Sequence, residues 1–123
     1  MNGNKLLADT NIVIYLLDGD RTIAELLDNK TVHVSFVTQL ELLSYSDLSD
    51  QDEIRIKEFL EQCIIIDINP SIKEEVIRIR KQYRLKLPDS IIIAGALYLD
   101  IPLITSDQGL QKVEELSLVY YEK

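Results

Sequence analysis

One stretch decides how this chain folds: Leu6-Leu7-Ala8-Asp9-Thr10-Asn11-Ile12-Val13-Ile14. A short apolar run stops at Asp9, and a second apolar run begins after Asn11. Asp, Thr and Asn between two apolar runs are typical of a strand that turns directly into a helix. The pattern predicts a strand over residues 5–8 and a helix over about 11–18. The carboxylate of Asp9 is then expected at the end of the strand, on the rim of a sheet.

The later chain continues this alternation of apolar runs and segments with helical spacing. Further strands are predicted over residues 32–37, 64–68, 101–105 and 118–121, the last at a sheet edge. One helix is predicted to begin after Thr38 as its N-cap, because Glu41 follows three residues later at capping-box spacing. Another begins at Leu87-Pro88-Asp89. The remaining helices are predicted over residues 21–28, around 54–60, over 71–84 and over about 109–116. This order indicates an α/β fold with a mainly parallel sheet of about five short strands. Because most strands are nearly all apolar, helices are expected on both faces, in a three-layer α/β/α sandwich.

Length and composition narrow the class of protein. The 123 residues predict one domain, spanning 1–123, with an ordinary soluble composition of 46% hydrophobic and 28% charged residues. No apolar run approaches the roughly 20 residues of a membrane span, and no secretory signal is evident at the N-terminus. The single cysteine, Cys63, cannot form an internal disulfide. Together these features favour the reducing cytoplasm and no membrane partner.

The charge distribution is uneven. A formal net charge of −8 argues against non-specific nucleic-acid binding by the whole surface. Six of the 13 basic residues nevertheless lie within fourteen positions: Lys73, Arg78, Arg80, Lys81, Arg84 and Lys86. Two interpretations remain open for this stretch, the solvated face of a helix and an edge that contacts phosphates.

Four acids occupy equivalent places in the predicted fold: Asp9, Glu41, Asp89 and Asp107. Each lies just past a strand or in the first turn of a helix, at the rim where open parallel sheets bind ligands. An acid at a helix start is commonly just a cap, but capping does not explain why several should share one crevice. Two carboxylates about 4 Å apart repel by about 4 kcal/mol at an intermediate dielectric. Mg²⁺ or Mn²⁺ would hold the four together, because hard cations prefer oxygen ligands.

Polar residues beside these acids suit a supporting role. Asn11, Thr105 and Ser106 are suited to hydrogen bonds that orient the carboxylates, with a plain turn or cap role as the alternative for each. His33 is the single histidine and has no Cys or His partner nearby, so it is interpreted as structural rather than as a zinc ligand.

The acidic segments resemble the four motifs of the PIN domain family: Ala8-Asp9-Thr10-Asn11, Thr38-Gln39-Leu40-Glu41-Leu42, Leu87-Pro88-Asp89-Ser90-Ile91-Ile92-Ile93-Ala94 and Thr105-Ser106-Asp107. The resemblance is greatest to VapC-type toxins of bacterial toxin–antitoxin pairs, and it covers essentially the whole chain. The segment around Asp89 is its most specific part. The last motif departs from the family by running into Gln108-Gly109-Leu110, where an aromatic residue is frequent.

This resemblance implies a PIN-like fold and a magnesium-dependent endoribonuclease, silenced by a cognate antitoxin and usually dimeric. The metal would activate a water for attack on a phosphodiester bond of RNA. The expected catalytic metal ligands are the same four acids: Asp9, Glu41, Asp89 and Asp107. The expected RNA contacts come from the basic stretch: Arg80, Arg84 and Lys86.

Three other functions remain as alternatives. A haloacid-dehalogenase-like phosphatase also has an Asp after its first strand, but it needs a second acid two residues on, where this chain has Asn11. A phosphate-accepting receiver domain would have an acidic pair after its first strand and a lysine after its last, and neither is evident. The third is a catalytically inactive PIN-like module that acts through protein contacts; the presence of all four acids argues against it.

Overall fold

The computed structural model describes residues 4–123, so the first three residues of the predicted 1–123 domain lie outside the described residues. Five strands and six α-helices follow one another in these residues, with one 3-10 helix at Gln108–Lys112. Their order is β1 (Lys5–Ala8), α1 (Thr10–Leu17), α2 (Arg21–Leu27), β2 (Thr31–Ser35), α3 (Phe36–Leu43), α4 (Asp50–Glu61), β3 (Ile64–Ile66), α5 (Pro70–Tyr83), α6 (Leu87–Leu99), β4 (Leu103–Thr105) and β5 (Leu118–Tyr120). None of these helices is long and apolar enough to cross a membrane.

The strands form one parallel sheet in the order β3-β2-β1-β4-β5. Leu7 in β1 pairs with His33 of β2 on one side and with Leu103 of β4 on the other. The chain therefore builds outward from β1 to β3, crosses back, and adds β4 and β5 on the opposite side. In open α/β sheets the ligand crevice lies where the strand order reverses, at the carboxyl ends of the strands. Here that place is the gap between the ends of β1 and β4.

The two faces of the sheet bury separate apolar clusters. Leu7 packs with residues of α5 and α6, whereas Leu6 and Ala8 pack with residues of α1, α2, α3 and α4. Because neighbouring residues of a strand point to opposite faces, the two clusters lie on opposite sides of the sheet. In α6, a Cβ added at Gly95 would lie 3.5 Å from the side chain of Ile66, so this helix packs closely on the sheet. The predicted three-layer α/β/α architecture is confirmed.

The start of α3 differs from the prediction of a Thr38 N-cap. The N-cap is Ser35, whose hydroxyl accepts the backbone N–H of Val37 at 3.1 Å. Strand β2 therefore ends at Ser35, and Phe36 and Val37 belong to the helix rather than to the strand. The serine cap outweighs the strand propensity of an aromatic and a β-branched residue. Thr38 is left inside the helix, where its hydroxyl is available for another contact.

Other boundaries also shift from the predicted ones. Strand β3 ends at Ile66 because the Asp67 carboxylate accepts the backbone N–H of Ile68 at 2.8 Å, outside the strand ladder. Strand β4 begins at Leu103, since Asp100 adopts a left-handed conformation (φ 54°) and Pro102 has no N–H to donate. The helix predicted over 109–116 is the shorter 3-10 helix. Helix α1 is less buried than predicted: Ile12 and Val13 are fully buried, but residues 14–17 are only half-buried.

Candidate active site

Asp9 lies where the sheet meets α1. It is the N-cap of that helix and is only 7% exposed. The backbone N–H of Thr10 donates to its Oδ1 at 2.8 Å, and the hydroxyl of Thr105 donates to its Oδ2 at 2.7 Å. Burial raises the pKa of Asp9 above its ordinary value, the two hydrogen bonds lower it, and the charges of Asp107 and Glu41 raise it further. Asp9 is thus a buried carboxylate whose charge is opposed by other acids.

Asp107 lies beside it, after β4. Its carboxylate caps the 3-10 helix by accepting the backbone N–H of Gly109 at 2.8 Å. Its own backbone N–H donates to the Thr105 hydroxyl at 3.1 Å, and the same hydroxyl donates to Asp9. Thr105 is fully buried. One threonine hydroxyl therefore connects the chain ends of β1 and β4 across the crevice.

Glu41 reaches the same rim from α3. Its residue is exposed, but its Oε1 accepts a hydrogen bond from the Thr10 hydroxyl at 2.7 Å. The Thr10 hydroxyl is also 2.8 Å from the hydroxyl of Thr38, one helical turn before Glu41. The first residue of α1 is in this way held by two residues of α3.

Asp89 is the third residue of α6 and is half-buried. Burial raises its pKa most, and the charges of Asp9 and Asp107 raise it further, with a smaller contribution from Glu41. Lys86 opposes this rise, because its positive charge lowers the pKa of Asp89. Asp89 therefore lies within electrostatic range of the other three acids although it shares no hydrogen bond with them.

We refer to these four acids, Asp9, Glu41, Asp89 and Asp107, as the acidic rim. Hydrogen bonds and mutual repulsion connect its members. In the described part of the chain none of them forms an ion pair with a lysine or arginine. Within residues 4–123, however, no three His, Cys, Asp or Glu side chains converge closely enough to hold a metal ion as they stand. The rim is a concentration of negative charge without a closed coordination shell.

The predicted supporting residues behave differently from one another. Thr105 contacts Asp9, as expected for a residue that orients a carboxylate, whereas the Ser106 hydroxyl is 3.4 Å from that of Tyr15. Asn11 is exposed in the first turn of α1 and, among the described residues, hydrogen-bonds to none of the four acids. Sequence reasoning missed the hydroxyls of Thr10 and Thr38. Thr10 could have been identified because it directly follows Asp9. Thr38 was noticed in the sequence, but it was interpreted as a helix N-cap.

The basic stretch divides into paired and unpaired parts. Arg78 forms ion pairs with Glu75 at 2.9 Å and Glu115 at 2.7 Å, and the Tyr83 hydroxyl also donates to Glu115 at 2.9 Å. We refer to these four residues as the paired cluster. Of the predicted RNA contacts, Arg80 donates from Nε to the carbonyl of Leu85 at 3.3 Å, and Arg84 ends α5 in a left-handed conformation (φ 54°). Lys86, exposed at the N-cap of α6, acts electrostatically on Asp89.

His33 lies away from the acidic rim. It is 6% exposed in β2, and its Nδ1 is buried without a hydrogen-bond partner among the described residues. Its strand partners are Leu7 and Ile64, both apolar. These surroundings are consistent with the structural interpretation made from the sequence.

Comparisons with known proteins agree with the motifs and the fold. A family model described as the PIN domain matches residues 6–116. No curated protein sequence matches this chain. Among solved structures, a chain of a toxin–antitoxin complex from Klebsiella pneumoniae is 31% identical with a TM-score of 0.84, and the match covers 96% of this chain and 99% of that one. A chain of VapBC-1 from nontypeable Haemophilus influenzae is 26% identical with a TM-score of 0.76, and the match covers 97% of this chain and 99% of that one. A chain of VapBC2 from Rickettsia felis, bound to a DNA fragment from the promoter, has the same fold at 22% identity and a TM-score of 0.81, over 96% of this chain and 99% of that one.

Proposed function

The chain belongs to the PIN domain family, and on that premise we propose that it is a metal-dependent endoribonuclease, the toxin of a toxin–antitoxin pair. The observation that carries the proposal is the acidic rim at the place where the strand order reverses. The neighbouring acids raise the pKa of Asp9 and of Asp89, and among residues 4–123 no cationic side chain forms an ion pair with the four carboxylates. Carboxylates arranged in this way require an external cation for charge balance.

The donor set fits a hard divalent cation such as Mg²⁺ or Mn²⁺. It offers only oxygen atoms, from four carboxylates with threonine hydroxyls behind them, while Cys63 and His33 lie in other parts of the fold. The ligands would be Asp9, Glu41, Asp89 and Asp107, directly or through water. Because these side chains do not converge as they stand, metal binding would require carboxylates to turn inward or waters to bridge them. The bound ion would activate a water and neutralise the charge that develops on phosphate.

The residues of the chain have separate tasks in this proposal. Thr105 and the backbone of Thr10 favour the ionised form of the buried Asp9 carboxylate, because both donate hydrogen bonds to it. Thr105 also binds the backbone N–H of Asp107 and so fixes the spacing of the two acids. Ser106 and Asn11 would act at the edge of the site, on bound water rather than on a carboxylate.

RNA is the proposed substrate, and its phosphates would be contacted by Arg80, Arg84 and Lys86. Arg80 lies in the last turn of α5, Arg84 is the C-cap of that helix, and Lys86 is the N-cap of α6, which carries Asp89 in its first turn. The charge of Lys86 already acts on Asp89, so a phosphate bound beside Lys86 would lie close to the acidic rim. The neighbouring Arg78 is excluded from this role by its ion pairs with two glutamates.

A cognate antitoxin is the proposed protein partner. The similar chains from Klebsiella pneumoniae and Haemophilus influenzae come from toxin–antitoxin proteins. This chain has an apolar groove of about 160 Å³ between α1, α3 and α4, and Tyr45 in its lining is 49% exposed. Leu40 lies on α3, before Tyr45 in the sequence; it is 58% exposed and directly precedes Glu41. An antitoxin segment that covers Tyr45 and Leu40 would therefore pass beside Glu41, where a basic side chain could neutralise the acidic rim.

The antitoxin surface is tested by co-expression of this chain with the proposed cognate antitoxin. Leu40→Asp and Tyr45→Asp are expected to weaken the complex by at least about tenfold, since each places a charge in a desolvated apolar contact. Val119→Asp, at an exposed apolar position on edge strand β5, is the matched control. Equal affinities of all three variants would contradict this surface. The same samples, measured free by light scattering, test the homodimer that the family resemblance predicts.

The decisive experiment is RNA cleavage by purified protein in Mg²⁺, in Mn²⁺ and in EDTA. Cleavage is expected with either ion and not with EDTA. Asp89→Asn is expected to lower the rate by at least about 100-fold, because several kcal/mol of metal-dependent charge stabilisation is lost. Full activity in Asp89→Asn or in EDTA would overturn the proposed site. An inactive wild type that still binds its antitoxin would support the alternative of an inactive PIN-like interaction module.

A further inference from the structure

Three side chains form a hydrogen-bonded chain that leads from the protein interior to Glu41. The hydroxyls of Thr38 and Thr10 are 2.8 Å apart, and the Thr10 hydroxyl is 2.7 Å from Oε1 of Glu41. Thr38 is fully buried, Thr10 is half-buried and Glu41 is exposed. This series of hydrogen bonds therefore starts in the protein interior and ends at the solvent-facing side of the acidic rim.

The number of protons on each group decides which one donates in the hydrogen bonds between Thr38, Thr10 and Glu41. An ionised carboxylate has no proton, so Thr10 must donate to Glu41. A hydroxyl has one proton only, which Thr10 has then used, so Thr38 must be the donor in the contact between the two threonines. The order is Thr38 to Thr10 to Glu41, and each donor polarises the next one along the chain.

The elements on either side explain why the arrangement is rigid. Thr38 and Glu41 are three residues apart in α3 and so lie on one face of that helix. Thr10 is the first residue of α1, and its backbone N–H donates to Asp9. One residue thus contacts two members of the acidic rim, with its hydroxyl on Glu41 and its backbone on Asp9. Without this contact, Glu41 would be a solvent-facing glutamate free to sample several rotamers.

We infer that Thr38 is a positioning residue for Glu41, acting through the hydroxyl of Thr10, so that Glu41 is held beside the start of α1 before any cation arrives. This inference rests on the proposed function for its consequence, metal binding, but not for its immediate effect, the orientation of Glu41. The buried end supplies the fixed point, since the Thr38 hydroxyl has no exposure to water. At the exposed end lies the carboxylate of Glu41, the proposed metal ligand.

The first test needs no metal and no substrate. The order parameter of the Glu41 side-chain methylene groups is measured by ¹³C relaxation in EDTA for wild type, Thr38→Val and Thr38→Ser. Thr38→Val has nearly the same volume but no hydroxyl, and it is expected to lower the order parameter. Thr38→Ser keeps the hydroxyl and is expected to retain it. An unchanged order parameter in Thr38→Val would overturn the inference.

The second test is Mn²⁺ affinity by calorimetry on the same three proteins. Thr38→Val is expected to weaken binding by about tenfold, the lower end of the effect of removing a residue that orients a metal ligand, and Thr38→Ser to restore it. If Thr38→Val does not fold, Thr38→Ala replaces it, with Thr38→Ser kept as the conservative partner, and the order parameter and the Mn²⁺ affinity are read in the same way. Glu41→Ala separates the two proposals: unchanged Mn²⁺ affinity in Glu41→Ala would contradict the metal site, while the order parameter would still decide the role of Thr38.

Discussion

Two groups of residues in this protein both contain acidic side chains, and the pKa values of those side chains shift in opposite directions. In the paired cluster, Arg78 and the Tyr83 hydroxyl surround Glu115, and the pKa of Glu115 is lowered mainly by its hydrogen bond from Arg78. In the acidic rim, burial and the neighbouring acids raise the pKa of Asp9. Glu115 is paired with a cation of its own chain, whereas in the acidic rim, among residues 4–123, the acids form no ion pair and only the charge of Lys86 opposes the rise in the pKa of Asp89.

We interpret this difference as one between a structural group and the proposed functional group. The paired cluster joins α5 to the segment after the 3-10 helix, and its exposed ion pairs add little stability because water screens them. The acidic rim costs stability, because its charges repel in a partly buried place. Uncompensated acids of this kind are often found at functional sites, so the absence of an ion-pair partner among residues 4–123 supports the proposed site more than the acids alone do.

The largest effect is expected when one acid of each group is replaced by its amide and both RNA cleavage and the free energy of unfolding are measured. Asp9→Asn is expected to reduce RNA cleavage by at least about 100-fold through loss of metal binding. Its free energy of unfolding in EDTA should stay within about 1 kcal/mol of wild type, because relief of repulsion offsets one weakened hydrogen bond. Glu115→Gln should keep full cleavage activity. Cleavage and chemical denaturation on the same samples measure both effects.

The result for Asp9→Asn can contradict this assignment in one clear way. If it unfolds several kcal/mol more easily while Glu115→Gln does not, Asp9 is primarily a structural cap of α1. If Glu115→Gln loses cleavage activity as well, the distinction between the two groups fails. Mg²⁺ should raise the melting temperature of wild type and of Glu115→Gln but not that of Asp9→Asn, since only a folded state that binds the ion is stabilised by it.

A smaller effect is expected when the basic residues are exchanged. Lys86→Gln should weaken RNA binding several-fold. It should also reduce the slope of the logarithm of the binding constant against the logarithm of the salt concentration by about 0.7, the value for one lost phosphate contact on a single strand. Arg78→Gln should leave both quantities unchanged, because Arg78 is engaged with Glu75 and Glu115. Binding of a catalytically silent RNA at several salt concentrations measures the slopes. Equal slopes for the two variants would remove Lys86 from the RNA surface.

The sequence was sufficient for the fold and for the strand ends that Asp9 and Asp107 follow, whereas Glu41, expected in the first turn of a helix, lies in the second turn of α3. The abrupt end of β1 at Asp9 is a local signal, and the parallel order of alternating strands and helices brings strand ends to one rim. It was insufficient at the start of α3, where the run from Val32 to Val37 resembles one continuous strand. There, the hydroxyl of Ser35 ends the strand by capping a helix that starts three residues before the expected first residue.

The contacts that distinguish the two acidic groups are long-range and were not predictable from local patterns. Thr10 and Thr38 are 28 positions apart, and Arg78 and Glu115 are 37 positions apart. Each pair depends on how two elements pack, which neither spacing nor propensity specifies. Sequence reasoning therefore placed Arg78 in the same basic stretch as Lys86, although only the structure shows that Arg78 is already paired.

The smallest expected effect is a difference in pH dependence between the two groups. The pKa of Asp9 is raised from 3.8, so the folded state binds its proton more tightly and the associated stability is lost as pH rises through that raised pKa. The pKa of Glu115 is lowered from 4.5, so its contribution is present above 4.5 and is lost as pH falls through the lowered pKa. Relative to wild type in EDTA, Asp9→Asn should therefore become more stable between pH 4 and 7, and Glu115→Gln less stable, by only about 0.5 kcal/mol for this exposed pair. Urea denaturation across this range measures the two slopes, and slopes of the same sign would show that water and neighbouring side chains already compensate the acidic rim.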